Sequence, residues 1–86
     1  MTPYQRGLAR HALGLRKGQR ISYRNRYTSY PGNADHTPWL DLVSQGLAGH
    51  EAPNFFYLTY KGALLALDKG EKLDVEDFPE AKVAKP

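Results

Sequence analysis

Apolar residues recur at helical spacing in three stretches of the chain, and these predict three helices. The first stretch follows Thr2-Pro3. Threonine caps the free N–H groups of a first turn, and proline suits the first helical position because it has no N–H to satisfy. We expect this helix to stop near Leu15. The same Thr-Pro signal recurs at Thr37-Pro38 and predicts a second helix, with apolar positions at Leu40, Val43 and Leu47.

A β-hairpin and a third helix are predicted after the second helix. The sequence "LAGHEAPNFFYLT" is typical of two strands joined by a tight turn at Ala52–Asn54, with the second strand at Phe55–Thr59. Thr59 is placed to cap a helix over Tyr60–Lys69, which Gly70 should end.

The stretch "ISYRNRYTSYPG", residues 21–32, is ambiguous. Ile21, Tyr23 and Tyr27 alternate imperfectly with polar residues, which favours a short strand. A brief helix through the tyrosines is the alternative. The stretch interleaves aromatic and basic side chains, so its function also has two interpretations.

The order of predicted elements indicates an α+β fold with about three helices and a small antiparallel sheet. With 86 residues, the chain is long enough for one small core. We expect one domain over residues 1–70. Residues 71–86 are charged and lack periodicity, which predicts an acidic, partly disordered tail. We expect Leu73, Val75 and Phe78 to pack the first part of this tail against the domain.

The composition and the motifs of the chain exclude several kinds of functional site. The chain has no cysteine, which excludes disulfides and thiolate metal sites. The histidines fall in no metal-binding spacing, and there is neither a nucleophile motif nor a phosphate-binding glycine loop. We therefore predict a protein that is not an enzyme and needs no metal or cofactor. The longest apolar stretch, residues 63–67, is too short for a membrane span or a signal peptide, so we expect a cytoplasmic protein.

Positive charge is concentrated in the first 34 residues. They hold seven of the 12 Lys and Arg residues and none of the nine Asp and Glu residues. A basic half of this kind can bind an anionic partner. The alternative is that the acidic residues of the second half, among them Glu71, Asp74, Glu76 and Asp77, neutralise it within the fold.

The stretch "LDLVSQGLAGHEAPNFFYLTYKGALLAL" resembles the second half of a winged-helix domain of the MarR-like or PadR-like kind. In those families a recognition helix ends in Leu-x-x-x-Gly-Leu, a short wing follows, and the returning strand reads Tyr-x-Leu-Thr before a helix that begins x-x-Gly. The resemblance implies a winged-helix fold, DNA binding and a role in transcription regulation. The matching residues are Leu42, Gly46, Leu47, Tyr57, Leu58, Thr59 and Gly62.

The chain departs from the winged-helix pattern where DNA would be read. A helix-turn-helix has two helices before the wing, and the earlier one would have to fit into "YRNRYTSY". The second helix carries Asp41 and no basic residue, although a helix in the major groove normally presents Arg, Lys, Asn or Gln. A second likeness, to small phage and prophage proteins through "RHALGL" and "RNRYTSYPG", implies a viral origin but no activity.

On the nucleic-acid interpretation, basic residues contact phosphates while Tyr23, Tyr27 or Tyr30 stacks on bases. Polar residues of the second helix are the other candidate donors, to base edges or phosphates. The predicted phosphate contacts are Arg16, Lys17, Arg20, Arg24 and Arg26, and the predicted helix donors are Thr37, Ser44 and Gln45.

The alternative function is a protein-interaction module of phage or prophage origin that engages a host or viral protein without binding DNA. Its surface would centre on Trp39, Phe55, Tyr57 and the acidic tail. For residues 21–32 the alternative to a binding surface is structural: Tyr23 and Tyr27 join the core, and the arginines form a solvated face. The oligomeric state stays open between a monomer and a weak dimer.

Overall fold

A computed structural model describes residues 1–83, which form four helices and a three-stranded antiparallel sheet of order β1-β3-β2. The α+β class predicted from the sequence is confirmed. In chain order the elements are α1 (Pro3–Leu13), β1 (Tyr27–Thr28), α2 (His36–Ser44), β2 (Ala48–Ala52), β3 (Phe55–Leu58), α3 (Tyr60–Ala66) and α4 (Glu80–Val83).

Both ends of α1 are set by local signals that the sequence carries. The Thr2 hydroxyl accepts from the backbone N–H of Gln5, and the Gln5 side chain accepts from the N–H of Thr2, which completes a capping box. At the other end Gly14 has φ 77°, the left-handed conformation that glycine adopts without strain. The predicted start is therefore confirmed, and the helix stops close to Leu15.

Helix α2 begins earlier than the Thr37-Pro38 signal predicts. Asp35 occupies the cap position, and its carbonyl accepts the first helical hydrogen bond from the Trp39 N–H at 3.2 Å. Pro38 is tolerated because it still lies in the first turn, where its missing N–H has no partner. Trp39 and Leu42 are buried, whereas Leu40 is 40% exposed.

The hairpin is confirmed, and β3 forms the centre of the sheet. Its residues alternate: Phe56 and Leu58 are buried, while Phe55 and Tyr57 are exposed. The Phe56 ring stacks on Trp39 with ring centroids 5.5 Å apart. Helices and the buried face of the sheet thus share one core.

Residues 21–30 contain no helix, so the brief helix is wrong, and the short strand is confirmed only over Tyr27–Thr28. The N–H groups of Tyr23 and Arg26 donate to the carbonyls of Leu13 and Ala12 at the end of α1. The Asn25 amide then pairs with both backbone groups of Leu58, at 3.0 and 2.9 Å. These long-range bonds satisfy backbone groups that a helix would otherwise have satisfied locally.

Helix α3 starts as predicted. The Thr59 hydroxyl accepts from the Gly62 N–H at 3.2 Å. Gly62 is also required sterically, because a Cβ at this position would collide with the backbone carbonyl of Leu47.

Helix α3 ends at Ala66 rather than at the predicted Lys69. Arg10 donates to the Ala66 carbonyl at 2.9 Å, and Arg6 donates to the carbonyls of Leu65 and Leu67. These guanidiniums from α1 supply the donors that a continuing helix would have supplied.

The segment after α3 packs on the domain through Leu73 and Phe78, which are 7% and 3% exposed. Ile21 and Lys72 form a short parallel bridge, and the Ser22 hydroxyl accepts from the Asp74 N–H at 2.9 Å. The partly disordered tail was predicted over residues 71–86, and residues 84–86 lie outside the described residues.

Candidate nucleic-acid interface

The two arginines of α1, Arg6 and Arg10, form ion pairs with acidic residues that follow α3. Arg10 forms a two-pronged ion pair with Glu71, with N···O distances of 2.6 and 2.7 Å, and Arg6 pairs with Asp68. Glu71 is nearly buried, with its side chain 10% exposed. The hydrogen bonds from Arg10 lower the pKa of Glu71 to about 2, although burial acts in the opposite direction. The same bonds raise the pKa of Arg10.

The other five basic residues of the N-terminal half differ from Arg6 and Arg10 in their surroundings. They all lie between α1 and β1, in residues 16–26, which we call the basic segment. Within residues 1–83 none of them forms an ion pair with Asp or Glu. They are the five predicted phosphate contacts: Arg16, Lys17, Arg20, Arg24 and Arg26.

Tyr23 holds two of these arginines close together. Arg16 donates to the Tyr23 hydroxyl at 3.1 Å, and the Arg24 guanidinium lies 5.4 Å from the centre of the Tyr23 ring. Arg24 also donates twice to the His11 carbonyl, at 2.7 and 3.3 Å. Arg24 therefore stabilises the end of α1 while it remains half-exposed.

Two adjoining depressions connect Arg16 to Arg26 across the surface. One of about 580 Å³ is lined by Arg16 and Arg24 beside α1. The other, of about 430 Å³, is lined by Arg24, Arg26, His11 and Phe55. Because Arg24 and His11 belong to both, the positive charge is continuous from the end of α1 to the edge of the sheet.

Lys17 and Arg20 lie in a less favourable place. They line a depression of about 290 Å³ that also contains the carboxylates of Asp68 and Glu71. These acids reduce the local positive potential. Arg16 borders this depression as well, but unlike Lys17 and Arg20 it also lines the depression that contains Arg24. Arg16, Arg24 and Arg26 are therefore the stronger members of the predicted set.

The predicted donors on α2 lie apart from the basic segment. The Ser44 hydroxyl donates to the Asp41 carbonyl at 2.8 Å, and the Gln45 amide donates to the Asp41 carboxylate at 2.9 Å. Thr37 is exposed. None of the three lines any of the depressions described above.

The three tyrosines of residues 21–32 differ in exposure. Tyr27 packs on Trp39 and donates to Asp35 at 2.6 Å, and burial together with Asp35 raises the pKa of its hydroxyl to about 12. Burial acts to raise the pKa of Asp35, but hydrogen bonds from Ser29 and Tyr27 outweigh it and lower that pKa. Tyr23 and Tyr30 are 46% and 53% exposed. Tyr27 is thus half-buried against the core, with its edge on the depression of about 430 Å³, whereas Tyr23 and Tyr30 are exposed.

Sequence reasoning did not associate Phe55 with the basic residues. Its alternation with Phe56 places the two rings on opposite sides of β3, and in the structure Phe55 is the exposed one. Its position beside Arg24 and Arg26 depends on the pairing of β1 with β3, in which Thr28 lies opposite Phe55. That pairing joins residues far apart in the chain, and no local pattern announces it.

Within residues 1–83 no cluster of three or more His, Asp or Glu residues is placed to hold a metal ion. No helix in the same range is long and apolar enough to cross a membrane. Comparisons of the chain with protein-family models, with curated proteins and with solved structures found no match.

Proposed function

We propose that this protein binds nucleic acid through the basic segment and acts as a small winged-helix-like regulatory protein. The observation that carries the proposal is the separation of the arginines into two groups. Arg6 and Arg10 are neutralised by Asp68 and Glu71, whereas within residues 1–83 the basic segment forms no ion pair with Asp or Glu, and four of its five basic side chains are exposed. Unpaired guanidiniums on a continuous surface attract phosphates and release their counterions.

The winged-helix part of the proposal is supported by the order of α2, the hairpin and α3, and by the roles of Thr59 and Gly62. In residues 1–83 a single helix, α2, lies between β1 and β2, whereas a helix-turn-helix needs two. Asp41 adds negative charge to α2. We therefore assign the phosphate contacts to the basic segment, with no reading of the major groove by Thr37, Ser44 or Gln45. A phage or prophage origin stays a prediction.

The test is fluorescence anisotropy of labelled DNA with the full chain at a series of salt concentrations. We expect the logarithm of the affinity to fall linearly with the logarithm of the salt concentration, with a slope of about −0.7 to −0.9 per phosphate contact. The double variant Arg16→Gln/Arg26→Gln should make the slope about 1.5 units shallower. Both side chains are exposed, so the variant should stay folded.

A matched control is Lys61→Gln/Lys82→Gln, which removes the same charge from α3 and α4. It should leave the slope nearly unchanged. Equal effects of the two double variants would show that net charge alone attracts the DNA. Absence of binding by the wild-type chain at low salt would overturn the proposed function.

The second candidate, a protein-interaction module, is favoured by one observation. Leu64, Leu67, Leu73 and Val75 line an apolar depression of about 570 Å³, and Leu64 and Val75 are nearly half exposed. Trp39, predicted as the centre of such a surface, is fully buried and cannot contact a partner. On this alternative Val75→Asp abolishes partner binding, while the arginine variants have no effect on it.

A further inference from the structure

The exposed face of the sheet carries two aromatic rings beside the unpaired arginines. Phe55 is 52% exposed and Tyr57 is 37% exposed, on the central strand β3. Residues two apart on a strand point to the same side, with Cα atoms about 6.7 Å apart. Their cross-strand neighbours on this side are small: Thr28 lies opposite Phe55, and Gly49 lies opposite Tyr57. We call these four residues the open sheet face.

Gly49 lets the Tyr57 ring lie against the sheet. The tyrosine hydroxyl oxygen is 2.5 Å and Cζ is 2.6 Å from the position that a Cβ of residue 49 would occupy. Any larger residue would push the ring outward. The ring therefore lies across the strand β2 backbone, and its other side remains partly open to solvent.

Charge is distributed unequally around this face. Beyond Phe55, toward β1, lie Arg24, Arg26 and His11. A second depression, of about 340 Å³, is lined by Phe55, Tyr57 and Arg26, and its acidic border is formed by Glu51, Glu76 and Asp77. Phe55 and Arg26 thus lie between the basic and the acidic sides of the face. A polyanion on the open sheet face would place its phosphates along the arginine edge, because the acids repel them from the other.

Flat aromatic rings with an arginine edge are complementary to unpaired bases on a phosphate backbone. In a duplex the faces of the bases are covered by their neighbours, so rings on a flat sheet can stack only on bases of a single strand. We propose that the open sheet face binds single-stranded nucleic acid, with bases stacked on Phe55 and Tyr57 and phosphates held by Arg24 and Arg26. This proposal rests on the proposed function and names its substrate class.

The test compares three labelled probes of about twelve nucleotides, a length that covers a single-domain binding site. They are a single-stranded DNA, the same sequence as a duplex, and a strand of abasic residues that keeps the phosphates without bases. We expect the wild-type chain to bind the single strand at least about tenfold more tightly than either of the other two.

The matched variants are Phe55→Leu and Tyr57→Leu, which keep an apolar side chain of β3 exposed. Each should weaken binding of the single strand by about 5- to 100-fold and leave binding of the abasic strand unchanged. Arg26→Gln should weaken both strands together and make the salt slope about 0.7 units shallower. Circular dichroism and urea unfolding verify that the variants are folded.

The outcomes separate the two proposals. Salt-dependent binding that is equal for all three probes and unaffected by Phe55→Leu and Tyr57→Leu would overturn the stacking proposal and leave the proposed function standing. Absence of salt-dependent binding to any probe would overturn both. A wild-type dimer in sedimentation that Tyr57→Leu converts to monomer, without any nucleic-acid binding, would identify the face as a self-association surface and overturn the proposal.

Discussion

The arginines of α1 and those of the basic segment belong to the same half of the chain but have opposite environments. Arg10 is packed against Glu71 and the end of α3, and its side chain is 19% exposed. Arg26, sixteen positions later, is exposed and has no acidic partner within residues 1–83. The difference shows that the charge of a residue predicts little about its role until its partners in the fold are known.

The paired arginines contribute to folding because they bring two helices and a loop together. Arg6 and Arg10 donate to the last carbonyls of α3, and their carboxylate partners lie in the loop that follows. Arginine suits this position because its planar fork meets a carboxylate and a carbonyl at once. Within residues 1–83 the arginine side chains of the basic segment donate to no carbonyl or carboxylate, with the exception of Arg24.

The largest expected effect is on stability, from Arg10→Gln. We expect the free energy of unfolding to fall by about 3 kcal/mol, because Glu71 stays nearly buried without its cation and the end of α3 loses a donor. Urea unfolding at neutral pH measures the change. Arg10→Lys keeps the charge and loses the planar guanidinium, so its free energy of unfolding should lie between those of the wild-type chain and Arg10→Gln. A loss below about 1 kcal/mol for Arg10→Gln would contradict the structural role of the pair.

Acid should weaken the same pair. The pKa of Glu71 is lowered to about 2 in the folded protein, so its contribution is fully present above its ordinary pKa and is lost as the pH falls toward 2. We expect about 2 to 3 kcal/mol of stability to disappear between about pH 5 and pH 2. Urea unfolding across this range measures it, with Glu71→Gln as the control that should lack this part of the pH dependence. If the free energy of unfolding of Glu71→Gln depends on pH as strongly as that of the wild-type chain, the acid sensitivity belongs to other carboxylates.

Arg24 belongs to both groups, so its substitution should change both the stability of the fold and the binding of nucleic acid. Arg24→Gln removes two hydrogen bonds to the His11 carbonyl, which should cost about 1 kcal/mol of stability. It should also weaken nucleic-acid binding. Urea unfolding and anisotropy on the same preparation separate the two effects, and a variant changed in stability alone would remove Arg24 from the proposed interface.

The smallest expected effect on stability comes from Arg16→Gln/Arg26→Gln. Both residues are exposed, so the free energy of unfolding should change by less than about 0.5 kcal/mol. The same urea experiment applies, with Lys61→Gln/Lys82→Gln alongside. A loss comparable to that of Arg10→Gln would mean that the basic segment is structural.

Local features of the fold could be predicted from the sequence because their causes are local. The hydroxyls of Thr2 and Thr59 accept from N–H groups three residues away. Gly14 ends α1 through its own left-handed backbone conformation. The alternation of Phe55–Leu58 likewise places Phe56 and Leu58 on one side of β3 and Phe55 and Tyr57 on the other.

Features set by distant partners could not be predicted. The early end of α3 depends on Arg10, 56 positions away from Ala66. The absence of a helix in residues 21–30 depends on distant partners such as Leu58, which pairs with Asn25, 33 positions away. The separation of the arginines depends on Glu71, 61 positions from Arg10. One-dimensional patterns contain no information on which of many acids and arginines will meet.

The most direct test of the account follows the arginine Nε–H signals by ¹H–¹⁵N NMR while single-stranded DNA is added to the full chain. The account predicts that signals of Arg16, Arg24 and Arg26 move with the added DNA, while those of Arg6 and Arg10 stay in place. If the signals of all arginines shift equally, or if only those of Arg6 and Arg10 shift, the separation of structural from binding arginines is wrong.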